Sequence, residues 1–150
     1  SAVTPIIRYA EVLLGYLECL IEGGEVIDKP ILDATINKVR GRAGVEMPPI
    51  TETDQSILRE RLRNERRIEL AYEGIRYWDL LRWEIADKVL VGEVWGAPYP
   101  SSTTYASSTK EIDPTGNWRW YVGRRDFRNP QDYKWPIPLS EQNINPNLRD

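Results

Sequence analysis

The sequence predicts a mainly α-helical protein: a helical hairpin and a long central helix, with a long irregular aromatic loop that has room for a short β-hairpin. Three observations predict it. Apolar residues recur at three- and four-residue steps from Ile6 to Val39, the spacing of a helix with one buried side. The stretch from Leu62 to Trp83 is charged and apolar at once and keeps the same spacing. Between Glu84 and Lys134 that spacing dissolves into glycine, proline, serine and threonine, yet eight of the fifteen aromatic residues lie there, more than a plain loop requires.

Thr4 and Pro5 have the form of an N-cap and first helical residue, and Ile6, Tyr9, Ala10, Leu13, Leu17 and Leu20 continue as an apolar stripe to about Glu22. Gly23 and Gly24 end this helix, because glycine accepts the left-handed backbone that a helix terminus favours. Pro30 opens a second helix carrying Ile31, Ala34, Thr35, Lys38 and Val39, closed by Arg40 to Gly44. The resulting hairpin resembles one tetratricopeptide-type unit. Such a unit does not bury its apolar face alone, so stacked neighbours in sequence beyond this stretch are expected.

Pro48 and Pro49 make a stiff link to Thr51, Thr53 and Asp54, three candidate caps for a central helix from Asp54 to Trp83. Ile68, Ala71, Ile75 and Trp78, with Tyr72 beside them, fall on one face, which is expected to be buried. Glu65, Glu69 and Glu73 form a stripe that repels itself unless Arg61, Arg66 or Arg76 answers from a neighbouring turn. Arg76, Asp79 and Arg82 continue that ladder past Gly74, where the helix kinks or restarts. Paired acids are also how glycosidases work. Arginines within reach keep such acids ionised, the wrong state for a general acid, so charge pairing is the reading adopted for Glu65, Glu69, Glu73 and Asp79.

In the aromatic loop, Asp113-Pro-Thr-Gly116 suits a type I turn, and Asn117 to Val122 reads as a short strand. Alternation places Trp118 and Trp120 on one face and Arg119 and Tyr121 on the other. Flat rings match the C–H face of a pyranose while arginine, asparagine and aspartate meet its hydroxyls. The candidate ligand-binding residues are therefore Trp95, Tyr99, Tyr105, Asn117, Trp118, Arg119, Trp120 and Tyr121, with Asp113 near them. Packing of the loop as a satellite core is the competing reading for each ring. Arg119, Arg124, Arg125 and Arg128 suggest an anionic ligand, but Asp113, Asp126 and Asp132 dilute them into a mixed, solvated surface. The tail then runs through Trp135-Pro-Ile-Pro, an extended chain fixed across the helices, to one short turn that Ser140 is placed to cap.

Composition excludes several classes. A net charge of −3 over 150 residues offers no concentrated basic surface for nucleic acid. Without histidine, the commonest general base and the usual zinc and copper ligand are missing, and no cofactor is expected. The single Cys19 cannot form an internal disulfide and reads as a small buried thiol in an apolar helix. No apolar run is long enough to span a bilayer. The start at Ser1, directly at a helix cap, fits a fragment of a longer chain.

Four blocks together resemble one family. The segment Glu65-Arg-Arg-Ile-Glu-Leu-Ala-Tyr-Glu-Gly-Ile-Arg-Tyr-Trp-Asp-Leu80, followed by Arg82-Trp83, closely resembles the diagnostic segment of SusD/RagB-type outer-membrane lipoproteins of Bacteroidetes. Arg8-Tyr-Ala-Glu-Val-Leu-Leu14, then Ile36-Asn-Lys-Val-Arg40 with Arg42-Ala-Gly44, and finally Trp135-Pro-Ile-Pro138 with Glu141 and Asn145-Pro-Asn-Leu148 agree in type and order. The match corresponds to the carboxy-terminal portion of such a protein, taken as a single domain over residues 1–150. The resemblance implies a mainly helical, tetratricopeptide-like fold and non-enzymatic capture of an oligosaccharide or polysaccharide. It further implies a SusC-like TonB-dependent porin as partner and a cell-surface position held by a lipid anchor outside this portion. Two departures stand out: Ile75 replaces the histidine frequent after the glycine, and Arg149-Asp150 replaces the usual residues after Asn-Pro-Asn-Leu. A helical protein-interaction scaffold is the alternative from another class, and a glycoside hydrolase the third.

Overall fold

The computed structural model describes residues 7–98, 110–134 and 137–148, with the side chains of Pro98, Lys110 and Glu111 also outside the description. The chain forms two compact units, residues 1–76 and 77–150.

The first unit is helical. Helix α1 spans Tyr9–Glu22, α2 Lys29–Ala34, α3 Ile36–Arg40 and α4 Gln55–Glu69. Its core is built from Leu14, Leu17 and Ile21 of α1, Ile27, then Leu32, Ile36 and Val39, and Leu58 and Leu62 of α4. Full burial of a side chain of this size stabilises by about 1.5–3 kcal/mol. The buried side of α1 is therefore Leu14–Leu17–Ile21, whereas Tyr9 is exposed. Cys19 is also exposed, which corrects the expectation of a buried thiol. It falls on the side of α1 away from Leu14, Leu17, Glu18 and Ile21, the residues that turn inward.

Local chemistry sets the ends of these helices. After α1, Gly24 takes φ +75° while Glu25 N–H donates to Leu20 C=O and Gly24 N–H to Ile21 C=O, the paired bonds of a Schellman terminus. Asp28 caps α2 by accepting from Ile31 N–H. The second helix of the hairpin is not continuous: it breaks at buried Thr35, whose hydroxyl donates to Ile31 C=O at 2.6 Å and competes with the helical ladder. Asp54 is the cap of α4, accepting from Ser56 and Ile57 N–H groups. Thr4 and Pro5 lie outside the described residues, but the helix read as starting there begins at Tyr9, with Arg8 extended at its N-cap, which corrects the expected start.

The central helix ends at Glu69 and restarts as α5, Ile75–Arg82. Between them Tyr72 and Gly74 adopt φ +66° and +77°. The break falls in the region expected, but it overturns the buried face drawn through it. Ile68 is 64% exposed, Trp78 53%, and Ala71 and Tyr72 lie in the open. Helical periodicity does not carry across the non-helical stretch from Leu70 to Gly74, and α4 instead buries Leu58, Leu62, Glu65 and Arg66.

In the second unit, α5 buries Asp79 and Leu80, and the short α6 spans Ala86–Val89. The aromatic region holds a three-stranded antiparallel sheet in the order β1-β3-β2, where β1 is Gly92–Pro98, β2 Lys110–Ile112 and β3 Trp118–Arg125. The expected hairpin is β2–β3. Strand β1, which glycine and proline content conceals, adds to its other edge. A 3-10 turn at Gln131–Tyr133, helix α7 at Leu139–Ile144 and a 3-10 turn at Pro146–Leu148 follow. Trp135 and Pro136, the start of the extended tail read from the sequence, lie outside the described residues. Pro138, not Ser140, stands at the α7 N-cap, with no side-chain cap bond.

Candidate ligand-binding sheet

The β2–β3 turn is organised by one carboxylate. Asp113 Oδ1 accepts from Thr115 N–H at 2.9 Å, Thr115 Oγ1 at 2.6 Å and Asn117 N–H at 2.9 Å. Its backbone C=O accepts from Gly116 N–H at 2.9 Å, and Gly116 sits at φ +84°. This is the expected type I turn, closed by a left-handed glycine. Asp113 Oδ2 meets Arg119 Nε at 2.7 Å. The Thr115 hydroxyl, the two backbone N–H groups and the Arg119 charge hold the Asp113 carboxyl below its usual range.

On the strand beyond this turn, the register pairs Trp118 with Ile112, Trp120 with Lys110 and Tyr121 with Trp95. Residues directly opposite share a face. The predicted aromatics are thus divided: Trp118 and Trp120 lie on one face of the sheet, and Arg119, Tyr121 and Trp95 on the other. Trp95 and Tyr121 stack edge to face, with ring centroids 5.2 Å apart and planes at 65°. Trp118 is 41% exposed, while Trp95, Trp120 and Tyr121 are half-buried. Asn117 is exposed and spends one amide donor on Thr115 Oγ1. Tyr99 and Tyr105 lie outside the described residues. A contributor missed from the sequence is Gly96: a Cβ there would lie 3.1 Å from Trp120 Cβ, so glycine lets β1 pass close to that ring.

Three of the four arginines in the run from Arg119 to Arg128 pair locally with the aspartates expected to dilute them. Besides Arg119 with Asp113, Arg124 meets Asp126 at 3.3 Å and Arg128 meets Asp132 at 2.6 Å.

The acidic stripe, Glu65 and Glu69 of α4 with Glu73 just beyond it, is ion-paired too, and it draws partners from far away in the chain. Arg40 meets Glu65 at 2.5 Å, Arg8 reaches Glu69 at 3.0 Å and Glu73 at 2.6 Å, and Arg42 also pairs with Glu69. Arg66, expected to answer the stripe, faces Glu18 of α1 at 3.7 Å. Arginines of other elements reach the stripe because it packs against them. At Glu69 burial pushes the pKa up, and the Arg42 and Arg8 guanidiniums more than offset it, so the carboxyl stays below its ordinary value. The local pair expected in α5 is present, Arg82 with Asp79 at 2.7 Å. Among the described residues no group of three metal-ligating side chains occurs.

The model of the SusD family matches residues 1–150. The chain belongs to the SusD family. A SusD-like carbohydrate binding protein from Bacteroides fragilis is 70% identical and superposes with a TM-score of 0.90, over 97% of this chain and 28% of that one. A second SusD-like protein of Bacteroides fragilis is 30% identical, with a TM-score of 0.65 over 91% of this chain and 23% of that one. The SusD-family chain therefore spans about a quarter of the length of either structure. No match is found among curated proteins.

Proposed function

We propose that this SusD-family chain is the carboxy-terminal portion of a longer surface lipoprotein that captures a glycan and delivers it, without bond breaking, to a SusC-like TonB-dependent transporter in the outer membrane. The observation that carries the reading is Trp118, two-fifths exposed beside Trp120 on one sheet face, next to a turn locked by Asp113 and Arg119. A rigid aromatic surface loses little entropy when a sugar stacks on it. The description of the 70%-identical protein as carbohydrate binding supports the same conclusion. Capture without hydrolysis is supported by the pairing of Glu65, Glu69, Glu73 and Asp79 with arginines.

The test is a titration of the protein with soluble polysaccharides, read by tryptophan fluorescence and calorimetry. A glycan that binds is expected to lose about tenfold or more in affinity with Trp118→Ala, since a stacked ring contributes roughly 1–3 kcal/mol. Unchanged binding by that variant sinks the assignment to this face. Release of reducing ends that disappears with Glu65→Gln would overturn the non-enzymatic reading.

A further inference from the structure

The outer side of α1 is apolar and yet exposed. Tyr9, Val12 and Tyr16 recur at three- and four-residue steps and are 63%, 54% and 57% exposed, and Cys19 continues the row in the open. Leu14, Leu17 and Ile21, on the opposite side of the same helix, already fill the core of the unit. Helix α1 therefore carries apolar side chains on two sides, the pattern of a helix covered on both. Its acids leave the row uncharged: Glu18 is buried facing Arg66, Glu22 pairs with Arg59, and Glu11 falls outside the row. Beside the row, an apolar groove of about 700 Å³ opens between α1 and α3, lined by Ala10, Leu13 and Val39 with Ile7 and Tyr9 at its edge. The cations around it are engaged within the unit. Arg8 answers Glu69 and Glu73, Arg42 answers Glu69, and the Lys38 ammonium lies 5.3 Å from the centroid of the Tyr9 ring. Row and groove share Tyr9 and form one uncharged surface, unlike the single apolar side chains scattered over most protein exteriors.

We infer that this surface is the seat of an amphipathic helix from the polypeptide preceding Ser1 in the longer protein, packed along α1 with its apolar side in the groove. The inference rests on the reading of this chain as a carboxy-terminal portion. Three observations select that occupant. The chain spans 28% and 23% of the two SusD-like structures, so most of such a protein lies outside it. A helical hairpin of this kind is completed by stacking on a neighbouring one. The chain also enters α1 along the groove, which Ile7 and Arg8 line, and a connection of about 2–8 residues is enough to fold a preceding helix back as an antiparallel neighbour. The 14 residues of α1 run about 21 Å, which one helix of similar length covers at an interaxial distance of about 8–10 Å. An uncharged seat whose neighbouring cations are already engaged suits a permanent apolar neighbour better than a charged ligand or a transient partner.

The experiment is photo-crosslinking in the full-length protein, with p-benzoylphenylalanine in place of Tyr16 and, separately, of Tyr9, the products read by gel and by peptide mass spectrometry. Each is expected to crosslink within one molecule to a peptide encoded before Ser1. A crosslinked dimer, a crosslink to another protein, or no crosslink at either position would overturn the inference and leave the carboxy-terminal reading intact. A reading frame with no helical portion before Ser1 would overturn both. Val12→Asp should lower the melting temperature of the full-length protein by several degrees, because the new carboxylate is desolvated under the docked helix, and Val12→Ala should lower it less. Asp and Val have similar helix propensities, so on a surface open to water Val12→Asp would leave the melting temperature unchanged, and that result too would overturn the inference.

Discussion

The two units of this SusD-family chain use charge differently. In the helical unit, beside the local pairs Lys29–Asp33 and Arg63–Glu60, ion pairs join residues far apart in sequence: Arg8 with Glu69 and Glu73, Arg40 with Glu65, Arg66 with Glu18. Glu18, Glu65 and Arg66 are themselves buried. In the second unit the pairs seen among the described residues are local: Arg82 with Asp79, Arg119 with Asp113, Arg124 with Asp126 and Arg128 with Asp132. The first pattern ties elements together around a core of nine apolar residues; the second orders turns and leaves rings uncovered. Removing one member of a buried pair strands its partner in a poorly solvated site, whereas an exposed pair exchanges its partner for water. Charge is thus a packing determinant in one unit and a local brace in the other.

The sharpest test of this contrast begins with the core itself. Leu62→Ala should lower unfolding stability by about 2–5 kcal/mol, by lost burial plus the cavity left behind, read from urea denaturation. Next, Glu65→Gln should cost about 1.5–3 kcal/mol by leaving the Arg40 guanidinium half-answered; a change too small to detect would break the claim that long-range pairs bind the helices together.

Acid should weaken the helical unit through Glu69 by a smaller amount. The folded-state pKa of Glu69 lies below its unfolded value, so its contribution is complete above the unfolded value and is lost as pH falls through the folded one. Urea midpoints measured from neutral pH to about pH 3 should therefore decline below about pH 4.5. Glu69→Gln should flatten part of that slope. The smallest effect belongs to Arg124→Ala, which removes an exposed pair at 3.3 Å and should leave the denaturation midpoint unchanged.

Much of the fold is legible in the sequence because it rests on short-range rules. The Schellman end at Gly24, the cap at Asp54 and the Asp113–Gly116 turn each follow from residue types within a few positions of one another. Strand β3 and its alternation are readable from Trp118 to Tyr121 for the same reason. The misreadings share a cause. Spacing alone assigns Tyr9, Ile68 and Trp78 to buried faces, but periodicity states which residues share a side, not which side meets a neighbour. In the candidate site, the ring identities are visible and the division of β3 between two faces follows from alternation. The joining of Trp95 to Tyr121, and the close pass of Gly96 by Trp120, are not visible, since β1 and β3 are paired across an intervening strand and turn.

By itself, then, the sequence determined the helical class, the turn at Asp113, the family and the need for arginines opposite the acidic stripe. Tertiary structure decided which arginines answer it. Arg8 just before α1, Arg40 at the end of α3 and Arg42 just after it reach Glu65 and Glu69 only because one core brings these segments beside α4, whereas Arg61, on α4 itself, answers none of the acids among the described residues. The physical reason is that helix and turn propensities act over a few residues, whereas an ion pair between distant residues exists only once the core has brought their elements within reach.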